Sequence, residues 1–251
     1  MAPTAKAKKT TKKATGRRAV APKKNPGVRA LLKELEALGT AQNRKVYERH
    51  GVTGKAFGVS YANQGKLVKR LGVDHDLALA LWDSGNHDAQ VLAAQIADPA
   101  AATAKQLDAW KKDLYNYVQS DAFAGYVAKT RFAAAKMEVW RKARNEWVAS
   151  VGWQLISHHA QFVEDLPDRV FADYLKVIEA EIQGAKNRVR HAMNGALIGI
   201  GLRSAGLEKK AVAVARRIGV VEVDHGETGC KTPDAAGYIA KTKAHRAKRG
   251  R

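Results

Sequence analysis

Apolar positions along the chain step by three and four. Phe171, Leu175, Ile178 and Ile182 form one series, Val189, Met193, Leu197 and Ile200 a second, and Leu207, Ala211, Val214 and Ile218 a third. That spacing keeps one face of a helix apolar, so each series predicts an amphipathic helix. Less regular versions of the pattern predict helices over 28–38, 41–50, 61–71, 75–84, 86–97, 102–115, 119–129, 131–143 and 145–160. Pro99, Pro167 and Pro233 fall between helical stretches, where a missing N–H costs little. Thr232, Pro233 and Asp234 read as an N-cap, a first-position proline and a first-turn acid. Only VVEV, 220–223, suggests extended chain, and it is too short to claim a strand. Many helices with short loops pack antiparallel, which predicts an all-α fold, either a solenoid or an irregular bundle. No strict repeat of fixed period marks its units.

Charge changes the picture at the two ends. The 251 residues carry a formal net charge of +20. Residues 1–26 hold nine Lys/Arg and residues 239–251 hold six, neither with an acid, which leaves +5 for residues 27–238. The first segment is Ala, Lys, Thr and Pro without aromatics and cannot bury enough apolar surface to offset the entropy of ordering, so it reads as disordered. Such a tail attracts polyanions through counterion release, or simply keeps the chain in solution. Hydrophobic residues at 45% suffice for a core between the tails. One cysteine forms no internal disulfide, which fits a reducing, cytoplasmic compartment. No apolar run approaches the roughly 20 residues needed to span a bilayer.

Several residues are candidates for chemistry. DHGETGC, 224–230, places Asp224, His225, Glu227 and Cys230 together. Zinc would need three or four ligands in reach, and this spacing is not the usual one even if His87 joined it. A nucleophilic thiol would need a base and an orienting group. Gly226, Gly229 and the Thr232-Pro233 cap point instead to an ordered turn that closes the fold or touches a DNA backbone. Residues 129–144 carry Lys129, Arg131, Lys136, Arg141, Lys142 and Arg144 against one acid, Glu138. Lys186, Arg190 and Asn194 form a polar stripe at i, i+4, i+8, with Gly195 and Gly199 beside it. Each reads as a solvated helix face or a DNA contact. Trp82, Trp110 and Trp140 read as core, while Trp147 and Trp153 flank Ser150 and could line a groove. Asp121 taken alone could be an N-cap, and Tyr117, in step with Leu107, Trp110 and Leu114, could be core.

Three segments carry a resemblance. DHDLALALWDSGNHDAQVLAAQIADP, 74–99, KNRVRHAMNGALIGIG, 186–201, and IGVVEVDHGETGCKTPDAAGYIAK, 218–241, are similar, in this order, to the DNA alkylation repair family of HEAT-like-repeat alkylpurine DNA glycosylases. The last resembles the end of one bacterial branch of it. The likeness runs from about residue 30 to 241 and leaves both tails outside. It implies a HEAT-like α-α superhelix with a concave cationic groove. It also implies excision of N-alkylated purines, chiefly N3-methyladenine and N7-methylguanine, without a base-holding pocket and without cofactor or metal. The family motif is an aromatic residue four positions before an Asp. Here it reads YVQSD, so the resemblance makes Asp121 the catalytic carboxylate and Tyr117 the aromatic wall, where the family usually has Trp. Ser150 falls where the family has a DNA-contacting arginine, and Gly195 where it has a tryptophan lining the site.

The expectation is a disordered basic segment 1–26, a HEAT-like domain 27–241 and a basic tail 242–251. It is a monomer on duplex DNA, cytoplasmic and nucleoid-associated, with backbone contacts from both tails. Its DNA-binding residues are Lys136, Arg141, Arg144, Trp147, Ser150, Lys186, Arg188, Arg190 and Asn194. The alternative is a HEAT-like DNA-binding or chromatin protein that kept the groove and lost excision.

Overall fold

A computed structural model describes residues 26–250. Residues 1–25, which hold nearly all of the N-terminal basic segment, lie outside the described residues. Helices α1 (Val28–Leu38), α2 (Ala41–Arg49), α3 (Tyr61–Leu71), α4 (His75–Trp82), α5 (His87–Ile96), α6 (Ala104–Trp110) and α7 (Tyr117–Val127) come first. They are followed by α8 (Ala133–Trp140), α9 (Glu146–Phe162), α10 (Asp168–Glu181), α11 (Asn187–Gly201), α12 (Ala205–Ile218) and α13 (Ala235–Lys248). Side-chain caps set many of the starts. Thr40, Ser60, Asp74, Asn86, Thr103, Asn116, Asn145, Ser204 and Asp234 each accept a backbone N–H from the first turn of their helix.

The packing is a two-layer stack. Helices α3, α5, α7, α9, α11 and α13 lie side by side in sequence as one layer. Helix α4 backs α5, α8 backs α9, and α12 backs α11 and α13. This is an all-α superhelix of HEAT-like type. Between the layers Trp82 stacks on Trp110 with centroids 4.1 Å apart, and Phe123 on Trp140 at 5.7 Å. All four are buried, and aromatic burial of this kind dominates core energetics. Helices α9 and α11 cross closely: a Cβ at Gly199 would meet Ser157 Oγ at 2.5 Å and the Ser157 carbonyl oxygen at 2.9 Å, so glycine suits the approach.

Several expectations change. The helix expected over 102–115 ends at Trp110, passes through a single 3-10 turn and breaks, because Asn116 caps the next helix. Asp121 is therefore mid-helix in α7 and not an N-cap. VVEV, too short to claim as a strand, is indeed none, and its Val220 and Glu222 carbonyls accept side-chain donors from Gln183 and Arg190. The C-terminal basic stretch is helical to Lys248, seven residues past the boundary read at 241, because α13 packs on α11 and α12.

Candidate functional site

The site lies on the inner layer, where α3, α7, α9 and α11 bring polar groups together. Asn116 starts α7, so Tyr117 and Asp121 are one turn apart on one face. Gln154, from α9, donates Nε2–H to Asp121 Oδ1 at 2.9 Å. Arg188, from α11, lays its guanidinium over the Tyr117 ring, 4.2 Å from the centroid. The Arg188 backbone N–H is held by Glu146 Oε1 at 2.6 Å, and the Tyr117 hydroxyl hydrogen-bonds His50 Nδ1. Tyr61, 63% exposed at the start of α3, is close enough to feel the Asp121 charge.

The electrostatics are unusual for a surface acid. Asp121 is exposed to solvent, yet protein crowds its carboxyl and pushes it up to about 6 against the opposing pull of Arg188 and Gln154. Burial likewise drives the Tyr117 phenol up to about 12. His191, beside Arg188, is pushed down to about 4 by burial and by the charges of Arg188 and His225. It is therefore neutral near pH 7, and its ring meets His225 edge-on at 5.5 Å.

DHGETGC is an ordered turn. Asn187 Nδ2 donates to the Asp224 carbonyl and Asn187 Oδ1 accepts the Asp224 N–H, both at 2.7 Å. Asp224 Oδ1 accepts the Gly226 N–H at 2.7 Å, Thr228 Oγ1 donates to the His225 carbonyl at 2.9 Å, and His225 Nε2 pairs with Thr232 Oγ1 at 3.0 Å. Gly226 has φ +61° and lies against the Arg49 carbonyl, so the turn spans from α11 to the end of α2. Cys230 is exposed, and its electrostatic influence reaches Tyr117. His87 is buried between Tyr47 and Tyr115. No group of three or more His, Cys, Asp or Glu residues that could hold a metal ion occurs among the described residues.

The other expected residues divide sharply. Tyr117 is half-buried at the site and not in the core. Ser150 is 2% exposed and donates to the Trp147 carbonyl, and Asn194 is 1% exposed and donates to the Pro233 carbonyl. Neither offers surface to DNA, because α9 and α11 sit inside the stack and have little solvated face. Arg190 donates to the Glu222 and Ala185 carbonyls. The stripe on α11 is therefore in large part a clamp for the segment 220–233. Lys186 is exposed but reaches the Arg144 carbonyl at 2.8 Å. Lys136 is paired with Asp108 at 2.6 Å, and Arg141 is paired with Glu138 and lies over Trp153 and Tyr174. Arg144 is exposed, Trp147 is half-buried and Trp153 belongs to the core. A Cβ at Gly195 would meet nothing within 4 Å, so that wall is open. Sequence reasoning missed Gln154, Tyr61 and His50. Gln154 had a signal, a polar residue inside the otherwise apolar run VGWQLI, 151–156.

A helical-repeat superhelix with an acid, an aromatic face and an arginine on its inner layer defines the class. The chain matches the family described as DNA alkylation repair enzyme over residues 31–239, and it belongs to that family. The uncharacterized protein Lin0241 of Listeria innocua is 30% identical over 216 residues, covering 84% of this chain and 94% of that one. The uncharacterized protein Lmo0209 of Listeria monocytogenes is 29% identical over 217 residues, with the same 84% and 94% coverage. A solved structure described as "A new family of proteins related to the HEAT-like repeat DNA glycosylases with affinity for branched DNA structures" superposes with a TM-score of 0.79 at 28% identity. The match covers 90% of this chain and 96% of that one. No helix among the described residues is long and apolar enough to cross a membrane.

Proposed function

We propose that the chain binds duplex DNA against the inner layer and hydrolyses the N-glycosidic bond of cationic N-alkylated purines such as N3-methyladenine and N7-methylguanine. The observation that carries this reading is the Asp121 carboxyl, water-accessible but poorly hydrated, one helical turn from Tyr117. An alkylated purine already bears positive charge and leaves readily, so the deoxyribose gains oxocarbenium character as the bond breaks. Asp121 as carboxylate stabilises that cation and orients the attacking water, which a crowded site makes more effective than bulk solvent would. Gln154 fixes the carboxylate by its single amide bond. Arg188 supplies from α11 the cation that Ser150 lacks, placed to meet a backbone phosphate. The basic ends add affinity without sequence preference and favour a nucleoid location. Deleting residues 1–26 then weakens binding and flattens its salt dependence; an unchanged salt slope would refute that role.

One observation favours a second reading, binding without excision. Arg188 already occupies the Tyr117 face that would otherwise stabilise a positive sugar or base, and a resident cation repels both. The affinity for branched DNA named for the superposed structure suits this reading. Release of free base from randomly methylated duplex DNA decides between them. Release by the intact protein and loss in Asp121→Asn supports the glycosylase. Tight DNA binding with no release from either supports the second reading.

A further inference from the structure

We propose that the notch between the end of α9 and the basic helix α13 binds an unpaired nucleotide of DNA, with Phe162 as its stacking surface. This rests on the DNA-binding reading above. Phe162 is the last residue of α9 and is 67% exposed. Its ring is steadied by His158, with centroids 5.0 Å apart. A cavity of about 720 Å³ opens beside it, with Gln161, Leu202, Lys243, His245, Arg246 and Arg249 on its walls and no carboxylate among its lining residues. Arg246 Nη2 donates to Gln161 Oε1 at 3.3 Å, which ties α13 to α9, and Lys243 is paired with Glu208. His245 and Arg249 complete the basic rim.

Cations in the last turn of α13 suit the helix dipole, but the dipole gives no reason for an exposed phenylalanine beside them. An aromatic face next to cations is how proteins hold single-stranded nucleic acid: the ring stacks on a base and the cations take the phosphates. Within a duplex both faces of each base are covered by neighbours, so away from a duplex end Phe162 can stack only where a base is unpaired. The notch therefore selects flaps, gaps and junctions over intact duplex.

The test compares affinities by fluorescence anisotropy for a blunt duplex and for the same duplex carrying a short single-stranded flap. Wild-type protein should prefer the flap. Phe162→Ala should lower the flap-to-duplex affinity ratio roughly fivefold or more, the usual loss for one stacked base, and Phe162→Trp should restore it. An equal ratio in wild type and Phe162→Ala, with duplex binding intact, overturns the notch and leaves the DNA-binding reading standing. Failure to bind either DNA overturns both. Displacement of the flap by polyglutamate as readily as by single-stranded DNA would mark a site for acidic chains and also overturn the proposal.

Discussion

Asp88 and Asp121 sit one helix apart in the inner layer, on α5 and α7, and protein crowds both. Asp88 is 0% exposed and fully engaged. Its Oδ2 accepts the Phe57 and Gly58 N–H groups at 2.6 and 3.1 Å, and its Oδ1 accepts the Val59 N–H at 2.8 Å. Asp121 accepts one side-chain amide and faces a cation that is itself stacked on an aromatic ring. Three fixed backbone donors make Asp88 a clasp for the loop before α3. Unspent acceptor capacity leaves Asp121 able to meet charge that develops on a bound molecule. Acids of the same type in the same layer thus differ in what already holds them: Asp88 is spent on the scaffold, and Asp121 keeps acceptor capacity free for the role proposed for it.

Breaking the clasp should have the largest effect. Asp88→Ala strands three backbone donors, those of Gly58 and Val59 buried and that of Phe57 half-buried, and should cost about 3 kcal/mol or more in urea unfolding. A loss under about 1 kcal/mol would mean the loop finds other partners. Asn194 tests whether the α11 stripe is a clamp. Asn194→Ala should cost about 1–2 kcal/mol of stability through the lost bond to the Pro233 carbonyl, with DNA affinity nearly constant. Weakened DNA binding with full stability would return Asn194 to the DNA face. Arg188→Gln should reduce the slope of log affinity against log salt by about one unit, as expected for one lost phosphate contact.

The smallest effect is electrostatic. The Asp121 carboxyl is raised in the folded state from its ordinary 3.8 to about 6, so the folded chain holds that proton more tightly than the unfolded chain does. Its contribution to stability is therefore fully present below about 4 and lost as pH rises through about 6. Asp121→Asn lacks this dependence, so thermal melts should show the variant gaining on wild type over that window. A constant difference across it would place the carboxyl in ordinary solvent.

Much of this architecture was legible in the sequence. The helices over 28–38 and 61–71 fall where the less regular pattern put them, because each still buries one apolar face, Leu31 and Leu35 in α1 and Leu67 and Leu71 in α3. The YVQSD spacing singled out Asp121 through family resemblance, and the structure puts it one turn from Tyr117 on the same helix. Asp121 by itself read better as an N-cap, and the Asn116 cap, which starts α7 before it, removes that reading. The α11 stripe misled because spacing reports which residues share a face, not what covers it. The stretch 220–233, which has no periodicity of its own, covers that face by bonding through its backbone carbonyls. The polar links Gln119–Gln90 and Asn116–His87 were invisible for a related reason. Such pairs join residues from different helices, and no local pattern records them.

The most direct test is base release from methylated duplex DNA as a function of pH, with wild type beside Asp121→Asn. A carboxylate that acts on the developing cation should give a rate that rises with a midpoint near 6 and a loss of about a hundredfold or more in the variant. Equal release by the two proteins, or a wild-type rate flat through that range, would contradict the role assigned to Asp121.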